Sequence, residues 1–565
     1  MGIRNFYDYI VIGAGTAGGI LAKKLTDDNK TSVLVLEAGT NMTEELSSAS
    51  IERAFILSTD NKFSFNILSR FEPEIGRQLR LTGGRAIGGS SEHNAMYAVR
   101  GSRDLFNQWK DLVGDQWSYD NIRSLFIKNE SYTGMTQEPE ERGMNGPISV
   151  RQQNVPDNGL NQVLAQATSD VLKIPIVEDY NTGISDCTFT KSQFTQKEEN
   201  GDFFRSSTAT GYLNNTIVSQ GTEDSPDEFG VGKRKLTIFA KSTVNKIIFK
   251  QLNGVQVAEG VEFFKDGKSE ISFARNGIIV CAGIFSSVIL QRSGIGRTDE
   301  LSSAGIPTLV ESPNVGHNLQ SHFSIGMGVE VETGRLLQVF GADPNQPITF
   351  GAFQSVNGPS RHLQLLGIIV PVFIPVQDVL INNWVFSPEK PSNIMSIGII
   401  NLNPSSNGTI TVAHSDPEAY PSISFNPLDN PDDLNFLVDQ YIKTHNIITR
   451  ARKLDPGGKY NVVYPPEKIF HNPNEEEKRN QLAAFARASY ANFDHFGGQC
   501  KMGQNIQEGV VDGFLNVFGT NKLKVADLSI SPILPDGNTS LPAQMIGLNA
   551  ARFIQEEVDQ NGDMD

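Results

Sequence analysis

The first forty residues combine apolar segments and glycines in an order that predicts a strand, a turn, a helix and a second strand. Residues 7–12 are mostly apolar and run into glycines at positions 13, 15, 18 and 19. Residues 33–36 form a second apolar segment, which is followed by the acidic Glu37. Short apolar runs of this kind are typical of parallel strands that are buried on both faces.

The glycines of this segment have separate physical roles. Gly13 permits a tight turn, Gly15 lets the backbone approach a pyrophosphate, and Gly18 lets the helix pack on the strand. The helix start offers free N–H groups to phosphate oxygens. Glu37 has about the twenty-residue spacing of an acid that accepts hydrogen bonds from ribose hydroxyls. The alternative is a glycine-rich turn without a ligand, but two strands and an acid in register favour nucleotide binding.

The next part of the chain predicts a loop, two helices and a hairpin. Residues 80–94 contain so many glycines and serines that we expect a loop with exposed backbone. Apolar periodicity predicts helices over residues 104–113 and 119–129. Residues 257–273 enclose the pair Asp266-Gly267 and predict a β-hairpin, and residues 277–281 predict a buried parallel strand followed by a helix.

The last part of the chain divides into two regions. Between about residues 323 and 489, short β-rich runs precede helical stretches at 432–454 and 474–489, so we expect a separate α+β unit. Residues 523–527 then predict another strand. A loop rich in proline, glycine and asparagine leads from it to an apolar helix that begins near residue 542.

Charge and cysteine content narrow the classes of function. The 48 basic and 64 acidic residues give a net charge of −16, which argues against nucleic acid or an anionic membrane as a partner. No apolar run is long enough for a membrane span. Cys187, Cys281 and Cys500 are far apart, so we expect neither a disulfide framework nor a metal site. A strand that begins at residue 7 leaves no room for a signal peptide, and together these features predict a cytoplasmic protein.

Several sequence blocks resemble those of the glucose–methanol–choline (GMC) oxidoreductases, in family order and over almost the whole chain. They are the N-terminal turn with Glu37, RAIGGSSEHN at 85–94 with Arg100-Gly101, residues 109–120, residues 143–147, ATGYL at 209–213, residues 282–296, NVGHNLQSH at 314–322, residues 403–408, HFGGQCKMG at 495–503, and residues 525–539. So many blocks in order identify the chain as similar to this family.

The resemblance implies a fold of class α/β plus α+β. We expect a Rossmann-type FAD-binding domain assembled from discontinuous segments, residues 1–155, 205–322 and 490–565. A substrate domain built on an antiparallel sheet with helices is expected from residues 156–204 and 323–489. The substrate-specific regions of the family lie in the second of these domains.

The resemblance also implies FAD as the cofactor. The positions that match the family's FAD site are Gly13, Gly15, Thr16, Ala17, Gly18, Glu37, Ala38, Arg85, Gly88, Gly89, Ser90, His93, Asn94, Ala95, Val244, Ala282, Asp527 and Asn538. Glycine and serine expose N–H and hydroxyl donors that suit phosphate and flavin oxygens. In the choline oxidases of this family a histidine at the position of His93 bonds covalently to the flavin. The alternative is a histidine that only contacts the flavin edge.

The implied reaction is the oxidation of a small-molecule alcohol, with O2 or another electron acceptor. Hydride leaves an alcohol carbon readily only if the hydroxyl proton leaves too, and His495 stands where the family has its catalytic base. The family's partner of this base is a histidine or asparagine some forty-odd residues later. An ungapped match puts Ser540 there, with Asn538 two residues upstream. Either Ser540 fills the partner role with a shorter reach, or Asn538 takes its place, or alcohol oxidation is not the native reaction.

Three functions therefore remain open. The first is an FAD-dependent alcohol oxidase or dehydrogenase. The second is a non-redox lyase that keeps FAD as a structural cofactor, as in the related hydroxynitrile lyases. The third is a flavin-binding protein without turnover, against which the intact block around His495 argues. We interpret His317 and His322 as structural residues of the domain junction, with His322 satisfied by buried backbone.

Overall fold

The computed structural model describes residues 5–41, 57–156, 159–346, 348–376, 379–382 and 392–562. Within these ranges the helices are Gly18–Leu25, Arg103–Val113, Tyr119–Asn129, Leu160–Leu172, Thr208–Tyr212, Ser286–Arg292, Thr298–Ser303, Thr333–Ala342, Pro431–Leu454, Glu475–Ser489 and Ser540–Gly562. No helix in this described part combines the length and the apolar character that a membrane crossing requires. The helices cover two large sheets.

A largely parallel sheet has the N-terminal strand at its centre. Its parallel strands, in spatial order, are Leu236–Phe239, Val33–Leu36, Asn5–Ile12, Lys268–Val280 and Leu523–Val525. Every residue of Val33–Leu36 is buried, because both faces of the sheet are covered. Helix Gly18–Leu25 packs on this sheet and against Ser540–Gly562, which brings the two ends of the chain together.

The same sheet continues into antiparallel strands and confirms the predicted hairpin. Val255–Lys265 pairs with Lys268–Val280 around Asp266 and Gly267, whose φ angles of +50° and +71° suit a tight hairpin turn. The second strand is longer than predicted, since its last residues pair in parallel with Asn5–Ile12. The predicted strand at 277–281 is therefore the end of that strand. The remaining strands of the sheet are Glu228–Phe229, Ser242–Leu252 and Thr520–Asn521.

The second large sheet is antiparallel. In spatial order its strands are Asn461–Tyr464, Phe323–Glu330, Ile394–Asn401, Leu363–Ile368, Ile348–Gln354 and Cys187–Phe189, and Ala491–Asn492 pairs with Phe323–Glu330. Helices Leu160–Leu172, Pro431–Leu454 and Glu475–Ser489 pack against it. The elements between residues 323 and 489 are mixed helices and strands, and the core of this sheet is distinct from that of the parallel sheet.

Smaller pairings correct one prediction. Residues 80–94 were expected to form a loop, but Arg80–Gly84 is a strand that pairs with Ser64–Leu68, and Gly89–Glu92 is a short 3₁₀ helix. The glycines made Arg80–Gly84 look like a loop in the sequence. Its partner strand, Ser64–Leu68, contains both polar and apolar residues. The other short strands are Glu130–Thr133, Ile148–Gln152, Gln193–Phe194, Gln196–Glu199, Asp202–Arg205, Ile295–Gly296, Val310–Glu311, His317–Leu319, Val372–Val376, Val379–Asn382, Gly408–Thr411 and Ser422–Ser424.

A buried ionic network anchors the backbone that follows residues 80–94. Arg100 Nη2 lies 2.6 Å from Glu130 Oε1, and Arg142 Nε lies 3.0 Å from the same oxygen. Arg142 also contacts Asp179 at 3.2 Å. All four side chains are almost completely buried, and Asn181 Oδ1 accepts a hydrogen bond from the Arg100 backbone N–H. Because Glu130 faces two guanidinium groups, its loss would leave buried positive charge without compensation.

We therefore expect Glu130→Ala to destabilise the protein by about 3–5 kcal/mol, the usual cost of breaking a buried ion pair from one side. The matched control is Asp120→Ala, which removes the acid of an exposed pair with Arg103 and should cost at most about 1 kcal/mol. Thermal unfolding followed by circular dichroism measures both. Equal melting temperatures for the two variants would show that the buried network does not stabilise the fold.

Candidate functional site

A cavity of about 740 Å³ is lined by residues of both large sheets. Its walls include the carboxyl end of Asn5–Ile12, strand Arg80–Gly84, the glycine-serine segment from Gly89, the edge residues Ala491 and Asn492, and the start of Ser540–Gly562. The N-terminal turn and the segment around residue 495 therefore face one common space. This arrangement can hold a long ligand that extends from the first sheet to the second.

Gly13 in the N-terminal turn and Gly89 beside it leave no room for a side chain. Gly13 has a φ of +97°, and a Cβ there would lie 2.5 Å from the Cys281 carbonyl oxygen. A Cβ on Gly89 would lie 2.8 Å from Gly15 Cα, so the turn and the glycine-serine segment meet backbone to backbone. Gly88 N–H donates to Ala14 O at 2.8 Å across the same contact. This leaves main-chain groups at the cavity wall, as phosphate binding requires.

Glu37 lines the cavity at the end of the second parallel strand. Its Oε2 accepts from Ala14 N–H at 2.9 Å and its Oε1 from Gly39 N–H at 2.8 Å. Burial raises the pKa of Glu37 to about 7, and these backbone bonds oppose that rise. Each carboxylate oxygen can accept more than one hydrogen bond, so Glu37 retains capacity for the hydroxyls of a ligand.

The glycine-serine segment presents a histidine and an asparagine to the cavity. His93 is buried, and its Nε2 has no hydrogen-bond partner among the described residues. Burial and the nearby Arg205 lower the pKa of His93 to about 4, so the ring is neutral at physiological pH. Asn94 Oδ1 accepts from Met96 N–H at 3.0 Å and from Arg205 at 2.8 Å, which fixes the orientation of its amide.

The residues predicted to bind the cofactor all line this cavity except Gly18 and Gly88. A Cβ on Gly18 would meet the Gly13 carbonyl at 2.1 Å, so this glycine serves the packing of the helix. Gly88 has a φ of +98° and lies against the Glu92 side chain. Asp527 lines the wall, but its carboxylate accepts hydrogen bonds from Gly283 N–H at 2.8 Å and from the Ser286 hydroxyl at 2.6 Å.

The other end of the cavity brings His495 and Asn538 together. Asn538 Nδ2 lies 3.4 Å from His495 Nε2, and Gln364 Nε2 donates to Asn538 Oδ1 at 3.0 Å. Burial lowers the pKa of His495 to about 3, so this imidazole is neutral at physiological pH. The ring of Phe493 meets the His495 ring edge-on with centroids 5.0 Å apart. A neutral imidazole beside an amide donor can take a proton from a hydroxyl while the amide holds the oxygen.

Ser540 and Asn538, the two candidate partners of His495, both line the cavity. Ser540 is the first residue of the C-terminal helix, and its buried Oγ has no hydrogen-bond partner among the described residues. Asn538, two residues earlier in the preceding loop, occupies the position next to His495. Ser540 as the partner of His495 therefore stays a prediction, and the contact of Asn538 favours the alternative.

His322 and Gln364 belong to this site, and sequence reasoning missed both. His322 Nδ1 lies 2.8 Å from His495 Nδ1, with the two rings nearly perpendicular. Buried backbone at Leu402 acts on the pKa of His322, in line with the expected backbone partner, and the second imidazole is an additional close contact. Gln364 lies within the otherwise apolar strand Leu363–Ile368. A lone amide in a buried strand is the signal that could have identified it.

Among the described residues, a cluster of side chains that can ligate a metal lies outside the cavity. One potential ligand atom from each of His445, Glu467 and His471 lies within 4.8 Å of the others. Both carboxylate oxygens of Glu467 accept hydrogen bonds from Arg452, one of them at 3.0 Å. The guanidinium therefore already supplies the positive charge that this carboxylate needs.

Comparison with known proteins identifies the family. The N-terminal family model of the GMC oxidoreductases matches residues 7–324, and the C-terminal model matches residues 404–547. The oxygen-dependent choline dehydrogenase of Rhizobium rhizogenes (strain K84) is 30% identical, and the match covers 97% of this chain and 95% of the relative.

Solved structures share the fold. Pyridoxine 4-oxidase from Mesorbium loti superposes with a TM-score of 0.77 at 23% identity, over 97% of this chain and 98% of that chain. A variant of formate oxidase from Aspergillus oryzae gives a TM-score of 0.80 at 22% identity, over 99% of this chain and 100% of the other. The chain belongs to the GMC oxidoreductases, a family of enzymes that bind FAD.

Proposed function

We propose that this enzyme oxidises an alcohol to an aldehyde or ketone, with His495 as the base that removes the hydroxyl proton. The observation that carries the proposal is the placement of a buried, neutral His495 beside Asn538 Nδ2 at the wall of the cavity. A positioned base typically contributes about 10²–10⁴-fold to such a reaction. When bound, FAD supplies the acceptor for the hydride that leaves the alcohol carbon.

The residues at the other end of the cavity fit FAD. Gly15 and Gly89 leave a backbone-lined wall that suits the pyrophosphate, and Glu37 retains acceptor capacity for the adenosine ribose hydroxyls. Parallel strands that enclose a glycine turn are the Rossmann arrangement for a dinucleotide. We assign residues 1–155, 205–322 and 490–565 to the FAD-binding domain, and residues 156–204 and 323–489 to the substrate domain.

The proton step is local to two side chains. The hydroxyl proton passes to His495 Nε2, and the electron pair of the broken O–H bond stays on the substrate oxygen. Asn538 Nδ2 donates a hydrogen bond to that oxygen and stabilises its negative charge. The amide is oriented for this because Gln364 holds its Oδ1 at 3.0 Å. Donors fixed before the reaction cost no reorganisation when the charge develops.

The walls near His495 favour a small alcohol with an apolar or aromatic part. Phe493, Phe496 and Tyr490 line the cavity on this side. The carboxyl of Asp494 also faces the cavity, and burial raises its pKa to about 6. We propose a primary alcohol, small polyol or aryl alcohol as the substrate class, with O2 or another acceptor for the electrons.

The first test is anaerobic flavin reduction by a panel of choline, benzyl alcohol, glucose and methanol. We expect at least one alcohol to bleach the flavin absorbance, and His495→Ala to slow this by about 10²-fold or more, because the base is lost. FAD content should stay near wild type, since His495 lies at the substrate end. A flavin that no alcohol reduces, in an enzyme that cleaves a hydroxynitrile, would establish the lyase function instead.

A second test separates Asn538 from Ser540. Asn538→Ala removes the hydrogen-bond donor beside His495 Nε2 and should lower the rate of flavin reduction by about tenfold to a hundredfold, the loss of roughly one hydrogen bond to a developing charge. Ser540→Ala is the matched control, and its rate should stay within about threefold of wild type. If Ser540→Ala slows flavin reduction more than Asn538→Ala does, Ser540 is the partner of His495.

A third test concerns attachment of the flavin. A neutral His93 with an unpartnered Nε2 at the cavity wall is suited to a covalent bond. We expect acid precipitation to carry the yellow colour into the protein pellet, and His93→Ala to leave it in the supernatant. Intact mass spectrometry should show a flavin adduct on the wild-type chain alone. If the wild-type pellet is colourless and the mass shows no adduct, His93 contacts the flavin without bonding to it.

A further inference from the structure

The two buried imidazoles form a hydrogen bond whose direction can be deduced. His322 Nδ1 and His495 Nδ1 lie 2.8 Å apart, so one nitrogen must carry a proton and the other a lone pair. A neutral imidazole carries a single N–H. The choice of donor therefore fixes the tautomer of both rings, and with it the state of His495 Nε2 at the cavity wall.

The groups beyond His495 favour His495 Nδ1 as the donor. Gln364 Nε2 donates to Asn538 Oδ1, which turns Asn538 Nδ2 toward His495 Nε2. An amide N–H beside a ring nitrogen requires a lone pair on that nitrogen, so the proton of neutral His495 lies on Nδ1. Reversing the bonds would put an N–H on Nε2, and His495 could then accept no proton from a substrate.

We propose that His322 is the positioning residue that makes His495 a base. His322 Nδ1 accepts the Nδ1–H of His495, which keeps the lone pair on His495 Nε2 toward the substrate and stabilises the imidazolium that forms on proton uptake. This inference rests on the proposed function and adds a residue to its machinery. The proton moves from the hydroxyl oxygen to Nε2, while the Nδ1 proton stays on His495.

Electrostatics explains why such an acceptor is needed. Burial is the cause that lowers the pKa of His495, and no charged group among the described residues counteracts it. His322 is also buried, and its pKa lies well below the usual range because of burial and the adjacent His495, while the Leu402 carbonyl acts in the opposite direction. A neutral acceptor on Nδ1 forms a charge-assisted hydrogen bond as soon as His495 is protonated.

The effect of the Leu402 backbone on His322 agrees with this direction. If Nδ1 accepts, the His322 proton lies on Nε2, which is buried and makes no hydrogen bond of good geometry to described residues. The Leu402 carbonyl raises the pKa of His322, as expected of an acceptor facing a ring N–H. His322 therefore remains neutral, and the positive charge formed in the reaction stays on His495.

The test compares variants of His322 that keep or lose the acceptor for the Nδ1–H of His495. His322→Leu removes the acceptor, and His322→Asn keeps an oxygen near the former Nδ1. Flavin reduction is followed anaerobically by stopped flow, in H2O and D2O, with the panel alcohol that reduces wild type fastest. We expect the limiting rate of His322→Leu to fall by about 10²-fold, with less than a threefold change in half-saturating alcohol concentration, and His322→Asn to recover most of the rate.

The solvent isotope effect separates positioning from a structural role. It should rise in His322→Leu, because a weaker base makes proton transfer slower. His317→Leu is the matched control, a histidine of the same segment that contacts Glu300 instead, and it should reduce flavin at the wild-type rate. If His322→Leu loses FAD, the pair His322→Asn and His322→Gln decides, since only the shorter amide places an oxygen at Nδ1.

Three outcomes would overturn the inference. These are a wild-type rate in His322→Leu, no recovery in His322→Asn, or a slower rate with an unchanged isotope effect. His495→Ala is measured in the same assay. If His495→Ala reduces flavin like wild type, the proposed function fails. If His495→Ala is inactive while His322→Leu is unimpaired, only the role of His322 fails.

Discussion

The backbone contact between the N-terminal turn and the glycine-serine segment is the constraint on which the cavity depends. Gly89 lies against Gly15 with no room for a side chain of its own, and Gly88 N–H donates to Ala14 O across the contact. A similar limit applies at Gly39, where a Cβ would lie 2.1 Å from the Arg85 carbonyl. The wall that faces a phosphate therefore consists of peptide groups because glycine is the residue that allows two backbones to approach this closely.

The opposite end of the cavity obeys a different constraint, the burial of polar groups without charge. Gln364, Asn538, His495 and His322 follow one another through neutral contacts. A charge in this position would carry a large desolvation cost. Neutral partners contact the two nitrogens of His495 at rest and bind it more strongly once it becomes charged. The site is thus arranged for a charge that exists only during the reaction.

The sequence predicted those features that local chemistry determines. The turn at Asp266 and Gly267 and the helix Tyr119–Asn129 follow from residues that are neighbours in the chain, and the structure agrees with both predictions. Strand Arg80–Gly84 was missed because its pairing with Ser64–Leu68 depends on a distant segment of mixed polarity.

The candidate site shows the same division. The sequence indicated His495 through the block of residues around it. It could not choose between Asn538 and Ser540, because no local pattern shows whether the loop or the helix start contacts the histidine. Gln364 is separated from Asn538 by 174 positions. Such a contact follows from the packing of the antiparallel sheet against the last loop, which no local pattern encodes.

Asp536 in this last loop hydrogen-bonds to segments next to both hydrophobic cores. Its Oδ1 accepts from Ser102 N–H at 2.8 Å and its Oδ2 from Arg361 N–H at 2.9 Å. Ser102 precedes a helix of the first core, and Arg361 precedes the strand of the second core that carries Gln364. Asn538 follows Asp536 by two residues, so its position relative to His495 depends on both cores at once. Neither core alone can therefore orient the amide that faces the substrate oxygen.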